Sequence, residues 1–174
     1  MININFFQKN FQKNMRKGFT LIEVIVAISV ITIGIIGIYN LVPRIVSITS
    51  ANANRFIVSQ LAREGIEVVR NIRDTNWLQG RSFDTGLEQG ENYGVQYNGD
   101  SLIDNYGSVP LQFNAEGFYG YNGKFGYSGG VDTGIKREII IKKINDYILN
   151  VKVKITWPGE RASFVAEENL YDWQ

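Results

Sequence analysis

From Phe19 to Val42 the chain reads FTLIEVIVAISVITIGIIGIYNLV, 24 residues with a single charged side chain, Glu23. At about 1.5 Å per residue a helix of this run covers about 36 Å, enough to cross a hydrocarbon core of about 30 Å. Any fold for this chain must therefore keep a membrane-length apolar helix near its N-terminus. In front of the run stand Lys9, Lys13, Arg16 and Lys17 and no acid. Flanking positive charge stays cytoplasmic, so the residues that follow the run are expected to face outward. The formal net charge of +1 hides this division: without residues 1–18, 14 basic side chains face 17 acidic ones, a net of −3.

The rest of the composition removes most catalytic chemistries. The chain has no cysteine and no histidine. Disulfide frameworks, thiolate zinc sites, cysteine nucleophiles, Ser-His-Asp triads and imidazole metal sites are excluded. Net charge near zero gives no reason to expect a nucleic-acid partner. The apolar run itself has three readings. A secretory signal peptide fits poorly, because its apolar stretch is usually 7–15 residues. The nearest small-x-small site, Ala51-Asn52-Ala53, also falls well past the end of the run. A plain signal anchor carrying an outer domain needs no further feature. The third reading begins with Glu23. A carboxylate in a membrane helix costs roughly 2.5–3.5 kcal/mol at the helix centre and less near an end. It should have a cationic partner at similar depth. If the chain were cut between Gly18 and Phe19, Phe19 would carry a new α-ammonium four residues before Glu23. In a staggered parallel assembly that ammonium on one subunit meets Glu23 of its neighbour, a strongly coupled pair in low dielectric.

The segment Arg16-Lys17-Gly18-Phe19-Thr20-Leu21-Ile22-Glu23-Val24 resembles the cleavage and methylation motif of type IV prepilins and type II secretion pseudopilins. The resemblance implies cleavage after Gly18 by a membrane prepilin peptidase and N-methylation of Phe19. It also implies that Glu23 guides subunit docking. Residues 61–78, LAREGIEVVRNIRDTNWL, resemble the helix end of V-type minor pilins and I-type minor pseudopilins. The segment TWPGERASFVAEENLYDW resembles minor-pilin C-terminal strands less specifically, and residues 79–136 hardly match the family at all.

Pro43 removes the hydrogen bond to the Tyr39 carbonyl and crowds that turn. Gly34, Gly37 and Asn40 just before it are weak helix formers. Residues 34–43 are therefore expected to be the softest stretch of the helix. An ordinary proline kink is one reading; local unwinding during filament packing, as the resemblance implies, is the other. Beyond Pro43, Val58, Leu61, Ala62, Gly65, Val68, Val69 and Ile72 recur at steps of three and four and predict an amphipathic helix. It is expected to run to about residue 73, with Asp74, Asn76 and Gly80 as stop signals.

Residues 80–134 hold 13 of the 18 glycines and 10 Phe or Tyr. Asn98-Gly99, Asn122-Gly123 and Gly129-Gly130 mark turns, and Tyr93–Tyr97 and Val109–Phe113 are the strand candidates. The region is expected to be irregular, either a plain connection or a binding surface. Asp100, Asp104, Glu116 and Asp132 are oxygen donors without EF-hand spacing. Further on, Tyr147, Leu149, Val151, Val153, Ile155 and Trp157 alternate with Ile148, Asn150, Lys152, Lys154 and Thr156, which predicts a half-wet antiparallel strand. With Arg137–Lys143 and Ala162–Leu170 it makes a three-stranded meander. Lys142, Lys143, Lys152 and Lys154 are expected to form a solvated face rather than a polyanion site.

The expected fold is α+β, a long N-terminal helix packed on a C-terminal antiparallel sheet. Its parts are a leader (1–18), an assembly helix (19–42), an amphipathic half-helix (43–78), an irregular region (79–136) and the sheet (137–174). The expected function is structural: a processed subunit, minor by resemblance, of a type IV pilus or a secretion pseudopilus. The alternative is a membrane-anchored outer binding domain that does not polymerise. No enzyme activity, cofactor, metal or direct nucleic-acid contact is expected. The partners implied are the prepilin peptidase, other pilin or pseudopilin subunits, the inner-membrane assembly platform and membrane lipid. The place is the cytoplasmic membrane, single-pass with the C-terminal domain outside, and then the filament. The site residues are Gly18 and Phe19 for processing, Glu23 for assembly, and Gly34, Gly37 and Pro43 for helix flexibility.

Overall fold

A computed structural model describes residues 18–159 and 162–173. Residues 1–17, most of the expected leader, lie outside the described residues. The chain divides into two compact units, Met1–Thr49 and Ser50–Gln174, and one helix, α1 (Leu21–Leu78), contributes to both. In the first unit α1 is apolar all round, and every residue from 21 to 49 is exposed. Its polar side chains are turned onto their own backbone: Ser29 Oγ donates to Ile25 O (2.8 Å), Thr32 Oγ1 to Ile28 O (2.7 Å) and Asn40 Nδ2 to Ile36 O (3.0 Å). This back-bonding satisfies hydroxyl and amide groups where a surrounding solvent offers no partner. The helix passes through Gly34, Gly37 and Pro43 without a break.

In the second unit α1 is amphipathic. Val58, Leu61, Ala62, Gly65, Ile66, Val68, Val69 and Ile72 are buried, the expected stripe with Ile66 added. The helix runs beyond residue 73 to Leu78. Its stop is a C-terminal cap in which Gly80 adopts φ +64°, Gly80 N–H donates to Trp77 O (3.0 Å) and Arg81 N–H to Asn76 O (2.9 Å). Both bonds satisfy carbonyls that the helix itself leaves open, and glycine is the residue that adopts this backbone at least cost. Asp74 and Asn76 are inside the helix. Asn76 is buried, and its amide donates to Thr85 O (2.8 Å) and Phe83 O (3.3 Å). It therefore pins the following loop rather than ending the helix.

The sheet has six strands: β1 (Gly90–Tyr93), β2 (Pro110–Phe113), β3 (Tyr119–Gly120), β4 (Val131–Asn145), β5 (Ile148–Thr156) and β6 (Phe164–Tyr171). Its order is β3-β2-β4-β5-β6, and β1 also pairs with β4. The expected meander is β4-β5-β6, fully antiparallel, with Ile139 opposite Val153 and Leu149 opposite Leu170. The expected α+β fold is thus the observed one, with the amphipathic half of α1 packed on the antiparallel sheet.

Residues 79–136 carry short strands, among them the candidate Val109–Phe113, observed as β2. They supply β1 and β2, both antiparallel to β4, and β4 itself begins at Val131. Tyr93–Tyr97 is not a strand: β1 ends at Tyr93, and Gly94 makes one isolated bridge to Ile103. The successive residues Val95 and Gln96 are both fully buried, which an alternating strand does not allow. Gly94 permits the inward turn, since a Cβ there would lie 2.6 Å from Tyr106 Cβ.

The core joins α1, β4, β5, β6 and the glycine-rich region in one cluster. At its centre helix and sheet approach closely at Gly65, where a Cβ would meet Ile139 Cδ1 and Val153 Cγ1 at 3.2 Å. On the outer face of the sheet, carboxylates accompany the lysines. Lys152 pairs with Glu167 (3.4 Å) and Lys154 with Glu138 (3.1 Å); Lys143, opposite Leu149 at the end of the inward row of Ile139 and Ile141, pairs with Asp84 (3.2 Å) and Asp146 (3.3 Å). The face is a charge ladder of both signs, without the unbalanced positive field a polyanion would need.

Candidate functional site

Gly18, Phe19 and Thr20 precede the first turn of α1 and are all exposed, Phe19 at 83%. Thr20 caps the helix. Its carbonyl accepts Glu23 N–H (3.1 Å) and Val24 N–H (3.2 Å), and its Oγ1 accepts Glu23 N–H at 3.3 Å. The order Thr20-Leu21-Ile22-Glu23 is that of a capping box, in which a hydroxyl residue at the cap is followed three places later by an acid. An acid in the first turn also complements the positive end of the helix dipole. Glu23 is therefore compatible with the local helix start, while its side chain stays exposed at the surface of an apolar cylinder.

Gly18 carries no demand from the fold. A Cβ there would meet nothing within 4 Å, and its φ lies outside the left-handed region. The same space surrounds Gly34 and Gly37. Neither close packing nor backbone strain within the chain requires glycine at these three positions. At Gly34 and Gly37 the absent side chains only weaken helix propensity, by about 1 kcal/mol each relative to alanine. Pro43 leaves the Tyr39 carbonyl without its usual donor. These features gather the expected residues onto one cap and one helix.

Residues 13–39 match the model of the prokaryotic N-terminal methylation motif. The match begins before the expected cut and covers Gly18, Phe19, Glu23, Gly34 and Gly37. The match shows a prepilin-type N-terminal methylation motif over this segment. The pilin-like α+β fold agrees with it. No curated protein and no solved structure matches the chain. A motif of this type implies processing by a prepilin peptidase and assembly with pilins, and α1 is long and apolar enough to cross a membrane.

Elsewhere, Asp100, Asp104, Glu116 and Asp132 are not brought together: among the described residues no three acidic side chains are grouped to hold a metal ion. Asp132 instead accepts Gly134 N–H at 2.8 Å. The sequence reading missed a buried polar cluster in the second unit. Arg137 is fully buried, and its Nη1 donates to Leu61 O (3.1 Å) and Glu64 Oε1 (2.7 Å), its Nη2 to Val95 O (2.6 Å). Tyr121 Oη donates to Arg137 O at 3.3 Å. Burial pushes the Tyr121 phenol above its ordinary pKa, with the nearby Arg137 charge acting in the opposite sense, so it remains a proton donor. Gln96 is also fully buried, and its Oε1 accepts Tyr121 N–H at 2.9 Å. One signal for Arg137 was legible: it shares strand parity with Ile139 and Ile141, the inward face. Gln96 lies in a segment without periodicity and gave none.

Proposed function

We propose that the chain is a minor subunit of a type IV pilus or a type II secretion pseudopilus, cut between Gly18 and Phe19 and N-methylated on Phe19. The observation that carries this reading is the register of Gly18, Phe19 and Glu23 at the head of a helix of which nothing from 21 to 49 is buried by its own chain. A surface so apolar needs a membrane first and other subunits afterwards. Glu23 then directs docking by pairing with the Phe19 ammonium of a neighbour. Gly34, Gly37 and Pro43 form the stretch that unwinds on packing. The resemblance of residues 61–78 to V-type and I-type subunits supports the minor role. The inner-membrane assembly platform is the machinery that extracts the subunit.

Mass spectrometry of the protein purified from membranes tests processing. An N-methylated Phe19 terminus is the expected result. An intact residue 1–18 segment would leave the membrane-anchored binding domain as the reading. Assembly is tested separately by Glu23→Ala. The variant should be cleaved normally, yet its loading into filaments should fall by roughly a hundredfold, the consequence of leaving an ammonium unpaired in low dielectric. Normal loading of this variant would remove the pairing argument.

A further inference from the structure

Between Glu23 and Arg55 the chain has one charged side chain, Arg44. The charge-free stretch of α1 from 24 to 43 is about 30 Å long, the thickness of a hydrocarbon core. The side-chain hydrogen bonding changes at the same place. Before Pro43, Ser29, Thr32 and Asn40 turn their polar groups back onto Ile25 O, Ile28 O and Ile36 O. After it, Arg44, Ser47 and Thr49 are exposed and have no side-chain partner among the described residues. Self-bonded side chains suit a solvent without donors or acceptors, and open ones need a solvent that supplies them. Asn40, Arg44 and Ser47 lie on one stripe of the helix, at steps of four and three. The change along that stripe marks the level where lipid tails give way to headgroups. Tyr39, 78% exposed, sits one turn inside this level, at the depth of an aromatic belt.

Arg44 stands in a shallow groove with Pro43, Ser47 and Ile48. A fixed cation beside a hydroxyl and two apolar side chains matches a phospholipid at its headgroup. The guanidinium fork fits phosphate bidentately, and a serine hydroxyl adds a donor. A protein carboxylate is a poorer match. The one acid in residues 19–54 is Glu23, about 32 Å away along the helix, so a neighbouring assembly helix of this kind brings no acid to the level of Arg44.

Arg44 is also the only charge that stops the span. Ile45, Val46 and Ile48 beyond it are exposed at 60%, 59% and 61%. Without the guanidinium the apolar surface runs on to Ile48, and the helix is free to slide inward by one turn, about 5 Å. We propose that Arg44 pairs with the phosphate of an outer-leaflet phospholipid and so fixes the depth of α1 in the membrane. That depth holds Glu23 at the opposite boundary and the Gly18–Phe19 bond just beyond it, a consequence that rests on the processing reading above.

The test uses the full chain reconstituted in phosphatidylglycerol vesicles. Solid-state NMR measures dephasing of the arginine Cζ carbons by lipid phosphorus, with the Arg44 contribution identified by difference from Arg44→Lys. The chain has no cysteine, so a spin label on Thr49→Cys reports depth through its accessibility to oxygen and to a nickel chelate. The expected dephasing places the Arg44 Cζ about 4–5 Å from phosphorus, the spacing of a guanidinium on phosphate oxygens. The label should move deeper by about 5 Å, one helix turn, in Arg44→Leu. It should stay in place in Arg44→Lys, which keeps the cation. Absence of dephasing at Arg44, or an unchanged depth in Arg44→Leu, would overturn the proposal. Galactolipid vesicles with inorganic phosphate in the buffer separate the two sources of phosphate. Contact and depth should both be lost there, and retention of either would overturn the lipid assignment. Cleavage at Gly18 is read separately in cell membranes. A cut chain whose depth ignores residue 44 removes the anchor alone, while a phosphate-bound Arg44 on a chain that is never cut removes the processing and keeps the anchor.

Discussion

Gly18→Trp should leave the chain at full length in membranes, with cleavage reduced by roughly a hundredfold or more and no N-methylated Phe19. A scissile bond displaced by a bulky neighbour loses the geometry on which peptidase catalysis depends, and misplacement by about 1 Å is enough for that factor. The fold offers no competing explanation. A side chain at residue 18 meets no atom within 4 Å at its Cβ, and helix α1 starts three residues later. Thermal unfolding of the second unit, followed in the full chain by tryptophan fluorescence, should therefore be unchanged. An immunoblot showing mature-length Gly18→Trp protein would refute the assignment of the cut. A lowered unfolding temperature would mean that Gly18 serves the fold instead.

Arg137→Ala is expected to destabilise the second unit by about 3–5 kcal/mol. The substitution empties a fully buried site and strips Leu61 O, Val95 O and the Glu64 carboxylate of their donor. Both a core cavity and the removal of one member of a buried charge pair lie in this range. With two-state stabilities of about 5–15 kcal/mol, the loss is large enough to lower the unfolding temperature by roughly 10 °C or more. Arg137→Met should cost distinctly less. It fills much of the volume, so the cavity cost largely falls away, while the lost bonds to Leu61 O, Val95 O and the partly exposed Glu64 carboxylate remain. Equal unfolding midpoints for Arg137→Ala and the unsubstituted chain would show that the cluster carries no stability. A Met variant as weak as the Ala variant would make the polar bonds, not the packing, the dominant contribution.

The two sites were unequally legible before the structure. Gly18, Phe19 and Glu23 belong to a linear motif at the head of an apolar helix, and both are properties of consecutive residues. The amphipathic stripe from Val58 to Ile72 and the β4-β5-β6 meander came from periods of 3.6 and 2, which survive without tertiary information. The helix end was placed five residues early because Asp74 and Asn76 resemble stop signals. Asn76 is instead retained in the helix by bonds to Phe83 O and Thr85 O, partners that exist only once the loop has folded back.

The glycine-rich region shows the same limit more sharply. Val109–Phe113 was legible as a strand, but residues 90–93 are too short to carry a period, and the pairing of both segments with β4 is not recorded in themselves. Val95 and Gln96 turn inward together because Arg137 and Tyr121 need acceptors there. What the sequence alone determined was the membrane-length helix, its processing motif and the two-layer fold, because each depends on local order and solvent. What only the tertiary structure decided was the buried Arg137 cluster and the pairing of distant segments, because those depend on which groups desolvation forces to find one another.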